Sequence, residues 1–164
     1  MSLHFDIKEF QNRLNRLLEL MSANDLEGML LFRQESMFYL TGYDTFGYVF
    51  FQCLYLGRDG KLILLTRAPD LRQARHTSIV EDIRIWVDGP EVNPALQLKN
   101  ILQECGCAGK RLGVEYDSYG LTAKNGKILD CAMDGFCRLI DASNLVNLLR
   151  VVKSPEELVY VQRA

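Results

Sequence analysis

Histidine is nearly missing from this chain: only His4 and His76 occur among its 164 residues. A metal site built on paired histidines is therefore not expected, and no His-x-x-x-His spacing occurs. The sequence also lacks a Gly-x-Ser-x-Gly nucleophile elbow, a Gly-x-Gly-x-x-Gly turn and a phosphate-cradling loop ending in Gly-Lys-Ser/Thr. The common routes to acyl transfer, dinucleotide binding and nucleotide hydrolysis are thus unsupported. Apolar runs stay at strand length, too short for a membrane span. Lys and Arg are dispersed over a chain of net charge −2, so no basic stripe exists to neutralise phosphates and no nucleic-acid partner is expected. The opening "MSLHFDIKEF" has no basic stretch followed by an apolar one, so no signal peptide is expected.

Cysteines stand at 53, 105, 107, 131 and 137, an odd number with several inside apolar stretches. That usage suits a reduced, cytoplasmic chain rather than a disulfide framework. Cys105-Gly106-Cys107 lies where a helix should end, and reads as structural rather than as a zinc or redox pair.

What is present is an ordinary globular balance, 48% apolar and 24% charged, in a length that suits one core. Phe10, Leu14, Leu17, Leu18 and Met21 form the stripe of an amphipathic helix from Asp6 to Ala23. "GMLLF" (28–32) reads as a fully buried strand. Two apolar runs flank Gly57-Arg58-Asp59-Gly60, so 47–56 and 61–66 should pair as an antiparallel hairpin. "APDLRQARH" is a short polar helix and 82–88 a strand. Asn93 caps a helix with Pro94 at its first position, and Gly106 stops it. Strands at 110–117 and 136–142 enclose a helix weakened by Gly126, the spacing of a parallel βαβ unit, and Ser143 should cap the short helix after them. The order predicts an α/β, three-layer domain: a mixed β-sheet flanked by helices.

Candidate chemistry is concentrated in "FRQESMFYLTGYDTFGYVFFQ" (32–52). Tyr43, Asp44, Phe46, Tyr48 and Gln52 lie there among glycines, and rings with polar handles suit a binding rim. Within the expected strand, Tyr48, Phe50 and Gln52 would share one face. Glu115 and Asp117 share a strand face too, but read as ordinary solvated acids at a strand end. Near the end, "LLRVVKSPEELVYVQRA" supplies a complete helix start at Ser154-Pro155-Glu156-Glu157, followed by only seven residues.

Three stretches together resemble the N-terminal domain of the creatinase, prolidase and Xaa-Pro aminopeptidase family, the pita-bread metallohydrolases. "SMFYLTGYDTFGY" resembles its YLTG motif, "KRLGVEYD" its RIGIE strand, and "LLRVVKSPEELVYVQRA" the junction that opens its catalytic domain. The resemblance implies an RNase-H-like domain over 5–152 and, over 153–164, the start of the first helix of a C-terminal catalytic domain. It implies a non-catalytic N-terminal part that shapes substrate access and dimer assembly in a metal-dependent C–N hydrolase. That hydrolase would be of the Xaa-Pro dipeptidase, aminopeptidase, creatinase or ectoine-hydrolase type. The divalent pair, manganese, cobalt or zinc, would belong to the other domain, with none bound here and no catalytic residue in this chain. Implied partners are the chain's own catalytic domain, a second copy, and a small peptide or amidine-like substrate, with no membrane. No arginine stands between Arg33 and Arg58, so the acidic and aromatic loop suits a cationic ligand better than a carboxylate. The alternative is a stand-alone binding or interaction module with no enzymatic partner domain.

Overall fold

The computed structural model describes residues 3–163, with the side chain of Tyr48 outside the description. Helix α1 (Ile7–Ala23) opens at Asp6, whose Oδ1 accepts from Lys8 N at 2.9 Å. Strand β1 (Gly28–Leu31) is buried at every position, and α2 (Gln34–Thr41) follows, ending at Gly42 in the left-handed region that favours glycine. Strands β2 (Cys53–Gly57) and β3 (Leu62–Arg67) form the hairpin, with Leu56 opposite Leu62 and Gly60 at positive φ in the turn. Then come α3 (Leu71–Thr77), β4 (Asp82–Trp86) and α4 (Pro94–Glu104), the last capped by Asn93 as its sequence predicts. Strand β5 (Arg111–Val114), α5 (Ala123–Met133) and β6 (Arg138–Asp141) make the parallel βαβ unit, followed by α6 (Leu145–Val151) and α7 (Pro155–Arg163).

The six strands lie in one sheet of order β4-β3-β2-β1-β5-β6. Pairing is antiparallel across β1–β2–β3 and parallel at β3–β4, β1–β5 and β5–β6, which is the mixed sheet expected. Because strand side chains alternate between faces, Leu30 joins one apolar layer while Met29 and Leu31 join the other. The first layer packs Leu98, Leu102, Leu129 and Met133 of α4 and α5 on the sheet. The second packs Leu17, Met21, Leu40, Ala74 and Val146 of α1, α2, α3 and α6. The result is a three-layer α/β domain.

Two local expectations fail. Residues 47–52 are not strand: Gly47–Val49 form a 3-10 turn, and β2 starts only at Cys53. Thr45 Oγ1 accepts the Gly47 N–H at 2.8 Å, and Asp70 packs so close to Gly47 that an added Cβ would sit 2.7 Å from its carboxylate. Tyr48, Phe50 and Gln52 therefore share no strand face. Ser143 does not cap α6; Asn144 holds that position without a side-chain bond. The Ser143 hydroxyl instead donates to Asp141 Oδ1 and accepts from Asp117 N.

Candidate functional site: the loop after α2 and its cleft

The loop after α2 is anchored from below. Tyr43 is buried and its Oη donates to Gln52 Oε1 at 3.0 Å, while Thr66 Oγ1 lies 3.4 Å from the same hydroxyl. Burial pushes the Tyr43 phenol above its ordinary value, so it remains a neutral donor. Gln52 is equally buried, and Thr66 also donates to it. On the outer side, the Arg67 guanidinium stacks 3.3 Å from the Phe50 ring centroid and pairs with Asp88 at 3.3 Å and Asp70 at 3.6 Å.

Asp44 and Phe46 stand out from this anchored base. Asp44 is exposed, with its backbone N–H held by Thr77 Oγ1, and among the described residues its carboxylate has no hydrogen-bond partner. Phe46 is 87% exposed, an uncommon position for a phenylalanine. Both line a cleft of about 630 Å³ whose other aromatic walls are Phe5, Phe38, Tyr39 and Tyr43. The cleft also receives Glu35 from α2, and Arg150 and Lys153 from the end of α6 and the link to α7. Of the residues singled out in sequence, the structure thus brings three to the cleft: Asp44 and Phe46 exposed, and Tyr43 buried in its wall. The Tyr43 hydroxyl points to the buried Gln52, and Tyr48 falls outside the described side chains.

Three charged residues are buried, Glu9, Arg13 and Glu115, and none of them is expected to be from the sequence. Glu115 is fully buried rather than solvated: Oε2 accepts from Phe32 N at 3.1 Å and Arg33 N at 3.0 Å, and Oε1 accepts from Ser36 Oγ at 2.5 Å. It caps α2, whose own N-cap residue Arg33 makes no side-chain cap. Burial pushes its carboxyl up, against the lowering effect of these bonds. Asp117, by contrast, is exposed and pairs with Arg33 at 3.3 Å. Arg13 is only 2% exposed in the wall of the cleft, and its signal is a cation on the apolar stripe between Phe10 and Leu17. Among the described residues no group of three or more His, Cys, Asp or Glu side chains is placed to hold a metal ion, and no helix is long and apolar enough to cross a membrane.

The sequence profile of the Creatinase/Prolidase N-terminal domain matches residues 13–152. The chain belongs to this family. An ectoine hydrolase of Halomonas elongata is 29% identical over 99% of the chain and 42% of its own length. A Xaa-Pro dipeptidase from Bacillus anthracis superposes with a TM-score of 0.77 at 19% identity, over 94% of this chain and 39% of that one. The N-terminal domain of the cytoplasmic peptidase PepQ from Mycobacterium tuberculosis superposes at 0.67 with 23% identity, over 85% of this chain and 98% of that one. These structures share the fold of the creatinase/prolidase N-terminal domain. The chain spans about two fifths of the length of the curated relatives it matches.

Proposed function

We propose that this domain is the non-catalytic N-terminal part of a metal-dependent C–N hydrolase acting on a small peptide or an amidine-like substrate, and that Asp44 and Phe46 are what it offers to that substrate. The observation that carries the reading is the contrast within one loop. Tyr43, Thr45, Gln52 and Arg67 fix its base, while the exposed Asp44 and Phe46 line the cleft and, among the described residues, the Asp44 carboxylate has no hydrogen-bond partner. A carboxylate beside an exposed ring is matched to a cation, which gains both a charge-assisted bond and the ring's negative face. The relatives, a hydrolase among them, support the reaction class, and a length about two fifths of theirs supports a partner catalytic domain. The metal pair, manganese, cobalt or zinc, would be held by that other domain; among the described residues no ligand group is assembled. Assembly as a homodimer would carry the loop to a neighbouring active site. A cytoplasmic setting is supported by five cysteines that are all free.

In the full-length hydrolase, Asp44→Ala is expected to weaken transition-state binding of a cationic substrate by about 1–3 kcal/mol, read as kcat/KM, with melting unchanged. Phe46→Ala should act in the same direction. The 164-residue chain alone is expected to leave Xaa-Pro peptides intact with any of the three metals. Unchanged kcat/KM in both variants would reduce the loop to scaffold, and turnover by the chain alone would end the non-catalytic reading.

A further inference from the structure

Helix α7 buries none of its residues, so apolar packing does not explain its position. Its contacts with the body are few and specific. Tyr160 Oη donates to the His4 carbonyl at 2.5 Å, and the Tyr160 ring tilts against Phe5 with centroids 5.1 Å apart. Arg13 Nη2 lies 3.3 Å from Glu157 Oε1.

Arg13 is built to serve that last contact. Its Nε donates to Glu9 Oε1 at 2.9 Å and its Nη1 to the Tyr39 carbonyl at 2.8 Å, which ties α1 to α2. The guanidinium carbon lies 4.1 Å from the Phe5 ring centroid and 4.4 Å from that of Tyr39. Nη2 is the one nitrogen of the group without a hydrogen-bond partner among the described residues, and the charge facing it belongs to α7. Glu157 divides its two oxygens in turn. Oε2 accepts from Ser154 N at 2.8 Å while Ser154 Oγ accepts from Glu157 N at 3.2 Å, completing the capping box, and Oε1 faces Arg13.

We propose that the Arg13–Glu157 pair is the joint that fixes the direction of α7 on this domain, with Arg13 the positioning residue. Helix start and helix placement are set by one side chain: the box begins α7, and the second oxygen aims it. Glu9 neutralises Arg13 from within α1, so the core tolerates release of α7. Glu157 and Lys153 line the cleft, so the joint also sets one of its walls. Resting on the reading that a catalytic half follows α7, the same pair would set the angle between the two halves and hence what the cleft faces.

The test uses this chain and reads amide exchange, not activity, so its failure is separate from failure of the hydrolase reading. Glu157→Gln keeps a side chain that can complete the capping box and removes only the charge. It should speed exchange of the amides in 158–163 by about tenfold, the scale of one charge-assisted contact, while β1 and β5 stay as protected as before. Glu156→Gln, one residue away and exposed, should leave those amides unchanged. Arg13→Lys, which keeps the charge but shortens the reach, should loosen α7 in the same way as Glu157→Gln. Exchange in 158–163 that is unaffected by Glu157→Gln, or equally affected by Glu156→Gln, overturns the proposal.

Discussion

Glu115 lies just past β5 with its carboxylate under the first turn of α2, where it meets two backbone N–H groups and the Ser36 hydroxyl. Removing it strands the buried Phe32 N–H and Ser36 hydroxyl and the half-buried Arg33 N–H, so Glu115→Ala should cost about 2–5 kcal/mol in denaturant unfolding. Glu115→Gln should cost far less, because its amide oxygen can accept from the backbone while its nitrogen donates to Ser36. The pair also makes a pH prediction. Burial raises the folded carboxyl above its ordinary value of 4.5, so the folded chain holds the proton more tightly than the unfolded one. The stability this contributes is fully present below pH 4.5 and is lost as pH rises through the folded value. Wild type should therefore weaken relative to Glu115→Gln as pH climbs above that point, and a parallel course of the two curves would contradict it. Nothing local in "GVEYD" marks Glu115 as different from Asp117, since its partners come from the distant segment after β1. Arg13 was more legible, because a cation on an apolar stripe needs an explanation.

At the scale of elements, what the sequence carried locally is what it disclosed. Helices α1 and α4 contain their own caps at Asp6 and Asn93, and the hairpin contains its own turn at Asp59-Gly60. Helix α2 borrows its cap from Glu115, so its start could not be read from residues 33–36. The stretch 47–52 is rich in strand-forming residues, but packing of Asp70 on Gly47 and the Thr45 bond turn its first part, Gly47–Val49, into a 3-10 element instead. Two glycines give opposed predictions. On β5 an added Cβ at Gly113 would collide with Met29 Sδ and lie 2.8 Å from Ala142 Cβ, both in the second core layer. Gly113→Ala should destabilise by about 1–3 kcal/mol through overpacking. On α5 an added Cβ at Gly126 meets nothing within 4 Å, so Gly126→Ala should stabilise by about 0.5–1 kcal/mol. Chemical denaturation of both variants checks the signs, and a stabilising Gly113→Ala would mean that β1 and β6 can part without cost.

At the scale of the whole molecule, both faces of the sheet are covered by α1 through α6, and α7 contributes no buried residue to either layer. The core therefore closes before α7 begins, which suits an element whose exposed Leu158, Val159 and Val161 have apolar surface to offer elsewhere. A chain ending at Lys153 tests this division. It loses the Tyr160 contacts and the Glu157 charge, but Arg13 keeps its bonds to Glu9 and to the Tyr39 carbonyl. The expected loss is about 1–2 kcal/mol, the scale of one charge-assisted contact and a few surface contacts. The denaturant slope m should hardly change, because m follows the surface exposed on unfolding and α7 covers little of it. A broad transition or a markedly smaller m in the shortened chain would show instead that α7 is part of the cooperative unit. The Arg13–Glu157 contact would then belong to the core rather than to a joint at its edge.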